Sequence, residues 1–163
     1  MKLAVMKQSL LKYARYNQWA NQKLVTLVST QTPELLEKEI ASSFNSIKKT
    51  ILHMADAGYI WHCRVTGAPP DKIPGKSGAG IEALDQTDQK LIEFIESKDD
   101  LYFTRSTSYK SIKGEPFNNN NAAIFWHVFN HGTFHRGQIV SMLRNGGYRG
   151  PVDSTDFIAF ERK

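Results

Sequence analysis

The sequence predicts an all-α fold class, with four long helices and a short β-hairpin-like insertion before the last helix. Three observations support it. Apolar residues recur every three or four positions over four long stretches, which is the spacing of a helix with one buried face. Stretches rich in Gly, Pro, Asn and Ser separate them. The 163 residues and a hydrophobic content of 40% suit one domain over residues 1–163.

The first long helix is predicted over residues 6–29. Its buried stripe is interrupted by Asn17 and Asn21, which form a polar notch in an otherwise apolar face. Pro33 cannot continue the helix and restrains the residue before it, so the helix ends shortly before this proline. Residues 34–41 are expected to add only a short helical turn.

The second long helix is predicted over residues 47–66. Residues 42–46, Ser-Ser-Phe-Asn-Ser, contain several side chains that cap helix N-termini. The apolar spacing leaves His53 on the flank of the buried face. That position is typical of a surface or half-buried histidine, and it also suits a ligand at the mouth of a cleft. Cys63 lies on the opposite side of the helix and is interpreted as a small buried hydrophobic residue. Residues 67–80 form an irregular connection rich in Gly and Pro.

A third helix is predicted over residues 81–97, with its apolar residues on one stripe. The pattern then changes, because residues 101–109 are β-branched and aromatic and alternate in polarity. Together with Ile112 and Phe117 they predict a short hairpin.

The last long helix is predicted to begin at an N-cap among residues 118–121 and to end near residues 145–147, Asn-Gly-Gly, a helix-termination signal. Residues 148–163 form a tail that we expect to dock on the helices through three apolar residues, Phe157, Ile158 and Phe160.

Three histidines lie on one stripe of the last helix. His127, His131 and His135 are spaced four residues apart, so each ring is about 40° further round than the one before. They share this stripe with apolar residues, and a buried imidazole without a partner is costly. Each ring is therefore either hydrogen-bonded within the core or bound to a metal. The helix lacks the Glu of the zinc-protease HExxH motif, so a metal would need a further ligand from elsewhere.

The overall charge and cysteine content exclude several classes. The net charge of +5 is spread along the chain without a basic run, so nucleic-acid binding is not predicted. No apolar stretch approaches the roughly 18 residues of a membrane span, and no apolar leader follows the basic N-terminal residues. The single cysteine, Cys63, fits a reducing compartment, so we expect a cytoplasmic protein.

Several segments together resemble the DinB/YfiT-like family of metal-dependent helical-bundle proteins. The matching pieces are Tyr-Asn-Gln-Trp-Ala-Asn at residues 16–21, residues 46–53 ending in His53 and continuing through Trp61 and Arg64, and residues 127–138. The last piece is the most specific, because His-Arg-Gly-Gln follows another His after four residues. The resemblance implies an antiparallel four-helix bundle and a homodimer.

The resemblance also implies the site residues. His53, His131 and His135 would bind one divalent metal ion per chain, with Zn²⁺ first and Ni²⁺ or Fe²⁺ as alternatives. His127, Trp61 and Gln138 would line the pocket or contact the ligands.

Two further expectations concern neighbours of these residues. Arg136 is expected to form an interhelical ion pair. The resemblance also implies an acidic residue, present in many family members, where this chain has Gly58, so either Asp56 replaces it or the pocket differs.

Three protein ligands leave coordination positions open, which is the form of a catalytic site. The resemblance implies a metal-dependent thiol S-transferase, or a related hydrolase, acting on a small-molecule substrate with a low-molecular-weight thiol as co-substrate. The alternative is a non-catalytic stress-response or binding module with a structural or incidental metal.

Overall fold

The computed structural model describes the backbone of residues 2–111 and 113–162 and the side chains of residues 6–111 and 113–162. Ile112, which we expected in the hairpin, lies outside the described residues. The described chain is mainly helical. Its helices are α1 (Lys2–Ser29), α2 (Pro33–Glu37), α3 (Ile47–Thr66), α4 (Ala83–Ser97), α5 (Asn121–Gly146) and α6 (Phe157–Glu161). Two strands, β1 (Ser106–Lys110) and β2 (Pro116–Asn120), precede α5.

The four long helices lie where the apolar spacing predicted them. Helix α1 packs against α4 and α5, and α3 packs against the same two helices. Their buried side chains form two apolar clusters. One contains Leu10, Ala14, Leu91, Ile95, Phe103, Phe125 and Phe129, and the other contains Leu24, Val28, Ile47, Ile51, Met54, Ile139, Met142 and Leu143.

Buried polar residues of α1, α4 and α5 occupy the middle of these helices, between the residues of the two clusters. They are Asn17, Asn21, Asp88 and Arg136, each at most 5% exposed. The predicted notch of α1 is therefore buried. Its polar atoms need partners inside the protein, and these partners lie on α4 and α5.

Local capping explains where α3 and α5 begin and end. The Oγ of Ser46 accepts a hydrogen bond from the backbone N–H of Lys49 at 3.2 Å, which confirms a cap within residues 42–46. The side chain of Asn120 accepts one from Ala123 and caps α5. Both helices end at glycines with positive φ, Gly67 at 75° and Gly147 at 111°, a conformation that residues with a Cβ rarely adopt.

The hairpin is antiparallel, with Tyr109 opposite Phe117 and Ser106 opposite Asn120. The prediction that it begins at residue 101 is wrong, because Asp100–Thr104 forms a 3₁₀ turn. The carboxylate of Asp99 accepts the N–H of Tyr102 at 2.8 Å and starts this turn, which places Phe103 in the core.

The tail docks on α1 through two of the three residues that we expected. The ring of Phe157 lies 5.5 Å from that of Tyr13 and 5.1 Å from that of Tyr16, and Phe160 lies 5.6 Å from Trp19, all measured between centroids. The expectation for Ile158 is wrong, since it is 57% exposed. Because α6 is a short helix, its consecutive residues point in different directions, and only one side meets α1.

No helix in the described part of the chain combines the length and the apolar character that crossing a membrane requires.

Candidate metal site

Three imidazoles meet between α3 and α5. His53 comes from α3, and His131 and His135 come from successive turns of α5. The Nε2 atom of His131 lies 3.0 Å from the Nε2 of His53 and 3.0 Å from the Nε2 of His135. The ligand nitrogens of all three rings lie within 4.8 Å of one another. His135 is 3% exposed, and the other two rings are half-buried.

The third ligand candidate sits opposite the pair because of helix geometry. Residues four apart on α5 project from one face, one turn apart. The flank of α3 that carries His53 faces this pair, so a residue 78 positions earlier in the sequence completes the group. Within the described chain, these three residues are the group of metal-binding side chains that comes close enough to share an ion.

The orientation of His135 is fixed by Gln138. The Nδ1 of His135 lies 2.7 Å from the Oε1 of Gln138, an oxygen that can only accept, so this nitrogen carries the proton. In the neutral ring, Nε2 then presents a lone pair to the other histidines. The Nε2 of Gln138 donates to the Oγ of Ser43 at 2.8 Å, which anchors the amide. Gln138 thus contacts one of the three histidines, and it fixes the tautomer of that ring.

The three nitrogens cannot all satisfy one another as neutral rings. The Nε2 of His131 has two nitrogen neighbours at 3.0 Å but can carry only one proton or one lone pair. One hydrogen bond therefore leaves the second contact poorly paired. A cation among the three nitrogens would satisfy all three lone pairs at once.

Burial keeps these rings neutral. Loss of solvent, and after it the positive charge of His135, His53 and His127, lowers the pKa of His131 to about 4. The pKa values of His53 and His135 are also lowered, mainly by burial. The neutral imidazole is the form that binds metals, so the group is ready to bind at neutral pH.

Two aromatic rings cover the group, and sequence reasoning missed both. Phe44 stacks on His53 with 3.9 Å between centroids, and Phe134 lies 5.1 Å from His135. Phe44 and Ser43 belong to the segment that we interpreted only as a capping region. Phe134 directly precedes His135, and its 58% exposure places it at the rim.

His127 and Trp61 lie beside the group rather than in it. The ring of His127 is 6.2 Å from that of His131, and Trp61 is 5.3 Å from His127, between centroids. His127 is exposed. These two residues extend the site along α3 and α5 on the side away from Gln138.

The carboxylate expected from Asp56 is engaged elsewhere. Asp56 Oδ1 accepts the backbone N–H of Gly75 at 2.7 Å and holds the connection after α3. Position 58 itself has no space for a side chain, because a Cβ on Gly58 would lie 2.7 Å from Cγ2 of Thr87. Asp56 is not among the three residues close enough to share an ion, but its charge acts to raise the pKa of His53, so it influences the site from outside the ligand group.

Two asparagines connect the positive charge of Arg136 to the carboxylate of Asp88. Its Nη1 donates to Oδ1 of Asn17 at 2.7 Å and of Asn21 at 2.9 Å, and both amide nitrogens donate to Asp88, at 3.0 and 2.7 Å. We expected a direct ion pair, but within the described residues the two charges connect through these amides. Burial raises the pKa of Asp88 to about 7, whereas the amide donors and the charge of Arg136 act to lower it.

This buried network adjoins the histidines. Asn17, Asp88 and His131 line the same small internal cavity, together with Gly132. A Cβ on Gly132 would lie 2.7 Å from Oδ1 of Asn17, so the glycine makes room for the network. The sequence marked the Asn residues as a notch but did not identify their partners.

A larger cavity of about 560 Å³ lies elsewhere, between α1, α5 and residues 148–156, and Arg136 contributes to its wall. The three converging histidines are not among its lining residues. The donor chemistry of the three histidines, rather than the volume of a cavity, marks the candidate site.

Comparison with known proteins gives three similarities. The family model described as the DinB family matches residues 6–162. A curated protein named Protein DinB, from Bacillus subtilis (strain 168), is 31% identical over 166 residues, which cover 87% of this chain and 89% of that protein. The crystal structure of a DinB-like protein from Bacillus cereus ATCC 10987 matches with a TM-score of 0.61 at 19% identity, over 90% of this chain and 95% of the other. At that identity, the structural likeness shows the fold alone.

Proposed function

The chain belongs to the DinB family, and from that membership and the three converging histidines we propose that it is a divalent-metal-binding protein with metal-dependent enzyme activity. His53, His131 and His135 are the proposed ligands. The observation that carries the proposal is the position of His131 Nε2, 3.0 Å from both other ligand nitrogens.

The donor set fits a borderline divalent ion. Neutral imidazoles suit Zn²⁺, Ni²⁺ and Fe²⁺, of which we propose Zn²⁺ first. A tetrahedral Zn²⁺ with bonds of about 2.0–2.1 Å would hold its ligand nitrogens about 3.3–3.4 Å apart. The two 3.0 Å contacts are close to this spacing, and all three ligand nitrogens lie within 4.8 Å of one another.

A bound ion would supply Lewis acidity at its open positions, lowering the pKa of a water or of a thiol there. The residues around it have separable roles. Gln138 holds His135 in the tautomer that offers Nε2, and Phe44 excludes water from one face of His53. The exposed side toward His127 leaves room for a substrate.

Metal titration tests the ligand assignment. Isothermal titration of metal-stripped protein with Zn²⁺ should give about one ion per chain. Combined substitution His131→Ala and His135→Ala should abolish binding. His62→Ala is the matched control, because His62 lies on α3 beside Phe94, 5.7 Å between ring centroids, and away from the group. Full stoichiometry in the double variant would contradict the assignment.

The proposed reaction is transfer of a low-molecular-weight thiol to a small electrophile. With 1-chloro-2,4-dinitrobenzene as the electrophile, the thiolate sulfur forms a bond to the ring carbon, the C–Cl bond breaks, and chloride and the thiol proton are released. The thioether should accumulate only with metal-loaded protein and should be lost in the double variant. Hydrolysis of a small electrophile is the related chemistry.

The competing function is a stress-response or binding module in which the metal is structural or incidental. Stoichiometric Zn²⁺ binding without metal-dependent thioether formation by any thiol tested would favour this module over the enzyme.

The remaining proposals concern assembly and location. We propose one domain over residues 1–163, folded as an antiparallel four-helix bundle and associated as a homodimer, as the family implies. Light scattering on eluting protein checks the dimer. The buried Cys63 supports a reducing, cytoplasmic location, which localisation of the tagged protein would test.

A further inference from the structure

A row of side chains in edge-to-face or stacked contact runs from the histidine group to the hairpin. We call it the aromatic platform and define it by Trp61, Arg64, Tyr109, Phe117 and His127. Trp61 lies 5.3 Å from His127 and 5.0 Å from Tyr109, and Tyr109 stacks on Phe117 at 5.9 Å, all between ring centroids. The guanidinium carbon of Arg64 lies 4.3 Å from the centroid of Trp61 and 4.7 Å from that of Tyr109.

Arg64 lacks an anionic partner. No carboxylate of the described residues lies within 4.0 Å of its guanidinium. Its hydrogen bond to the protein is a long one of 3.5 Å from Nη2 to the carbonyl oxygen of Lys110. A guanidinium has five N–H donors, so several remain available at its edge while the rings hold its plane in place.

The platform is aligned with the proposed metal site. Trp61 follows His53 by eight residues on α3, a rise of about 12 Å, and Arg64 follows Trp61 by almost one further turn. On α5, His127 precedes His131 by one turn. The order along this side of α3 and α5 is therefore the histidine group, His127, Trp61 and then Arg64 with the hairpin.

We propose that the aromatic platform binds the substrate of the proposed metal site, and that this substrate is an elongated aromatic anion. Its rings would lie on Trp61 and Tyr109, its ionised group would accept hydrogen bonds from Arg64, and its reactive end would point past His127 toward the ion. The claim that this molecule is a substrate rests on the proposed function. The claim that an aromatic anion binds here rests on the platform alone.

A purely structural role would be to attach the hairpin to α3. That role accounts for Trp61 and Tyr109, but it leaves two observations unexplained. Phe117 is 47% exposed although it extends the row of rings, and His127 is exposed between the row and the metal group. Both rings are available to a bound molecule.

The test compares 2-naphthoate with neutral 2-naphthamide on ¹⁵N-labelled, metal-stripped protein. The indole N–H signal of Trp61, assigned with Trp61→Phe, should shift on titration. That of Trp126 should not, because Trp126 packs on Tyr13 away from the platform. Naphthoate should bind about tenfold more tightly than naphthamide, as expected for one hydrogen bond to a charged group.

Variants assign the preference to Arg64. In Arg64→Gln the two ligands should bind equally, in Arg64→Lys part of the preference should return, and Arg105→Gln should behave as the wild type. Arg105 is the control because it is exposed at the start of the same hairpin. Thermal unfolding of each variant confirms that it is folded. An unshifted Trp61 signal, or equal affinities in the wild type, would overturn the proposal.

The link to the metal site has its own readout. In Co²⁺-loaded protein, the protons of bound naphthoate should relax faster than in Zn²⁺-loaded protein, and equal relaxation would refute the substrate role. A separate measurement of Zn²⁺ stoichiometry distinguishes failure of the platform proposal from failure of the proposed function. If naphthoate shifts Trp61 but the double histidine variant still binds Zn²⁺, the proposed function is wrong. If Zn²⁺ binding behaves as expected but Trp61 does not respond, the platform proposal is wrong.

Discussion

Asp88→Asn provides the sharpest test of the buried network, because it changes no volume and reverses one hydrogen-bond direction. Arg136 can only donate, so it fixes the carbonyl oxygens of Asn17 and Asn21 toward itself. Their amide nitrogens then point at residue 88 as donors. A carboxylate accepts both bonds. An asparagine accepts one and presents its own NH₂ to the other donor.

The magnitude follows from this mismatch. A buried donor left without an acceptor costs about 1–3 kcal/mol. Arg136 also loses the charge to which the two amides connect it, and a buried hydrogen bond to a charged group contributes about 1.5–3 kcal/mol. The relief from no longer burying the carboxylate of Asp88 offsets part of this sum. We expect Asp88→Asn to lower the free energy of unfolding by about 2–4 kcal/mol near pH 7.5.

The assay is urea unfolding of metal-stripped protein, followed by circular dichroism. Asp85→Asn is the matched control, on the same helix, where Gln18 and Gln22 donate to a more exposed carboxylate. The control should change stability by less than about 0.5 kcal/mol. An Asp88→Asn variant within 0.5 kcal/mol of the wild type would refute the fixed direction of the network.

A double-mutant cycle with Arg136→Met makes the test stricter. Without Arg136, the amides of Asn17 and Asn21 are free to turn, and one can then accept from an asparagine at position 88. The double variant should therefore be less destabilised than the sum of the single variants, by about 1–3 kcal/mol. Strict additivity would show that the direction set by Arg136 does not act on residue 88.

Three further predictions concern the metal group and its packing. Gln138→Ala should weaken Zn²⁺ binding about 10- to 100-fold at unchanged stoichiometry, because His135 loses the acceptor that fixes its tautomer. Isothermal titration measures the affinity, and an unchanged affinity would contradict this role of Gln138. Gly58→Ala should destabilise the protein by about 1–3 kcal/mol, because the added Cβ meets Cγ2 of Thr87. Adding Thr87→Ser to this variant removes Cγ2 and should recover part of the loss, and urea unfolding of the single and the double variant measures both effects. The pKa of His131 is lowered from 6.5 to about 4 in the folded protein, so its contribution to stability is complete above pH 6.5 and is lost as the pH falls toward 4. In metal-stripped protein, the difference in unfolding free energy between the wild type and His131→Asn should change between pH 6.5 and pH 4. A constant difference would refute the lowered pKa of His131.

The long helices could be predicted because the period of apolar residues reports directly which face of a helix is buried. The same period placed His53 on the flank of the buried face, and the structure brings it to His131 and His135. Their assignment as ligands, together with the roles of His127, Trp61 and Gln138, came from the family resemblance rather than from the period. The two polar residues that interrupt the apolar stripe of α1, Asn17 and Asn21, also located its notch.

Contacts made by irregular segments could not be predicted in the same way. Ser43 and Phe44 reach the histidine group only because the chain before α3 folds back over it, and no local pattern encodes that path. The start of the hairpin was wrong because Asp99 caps a 3₁₀ turn in a stretch whose composition favours a strand. Burial of Phe103 favours the turn, and burial depends on the tertiary fold.

The neighbouring positions of His135 and Arg136 have a consequence for the direction in which the proposed ligands point. Consecutive residues of a helix project about 100° apart, so the rotation of α5 about its own axis sets both directions together. Two asparagines of α1 accept hydrogen bonds from Arg136, so they restrain the rotation of α5 and with it the direction in which His135 projects. Helix α1 supplies none of the three converging nitrogens, yet its contact with Arg136 affects the direction of those on α5. Randomising positions 17 and 21 is therefore a route to altered metal preference that leaves all three imidazoles in place.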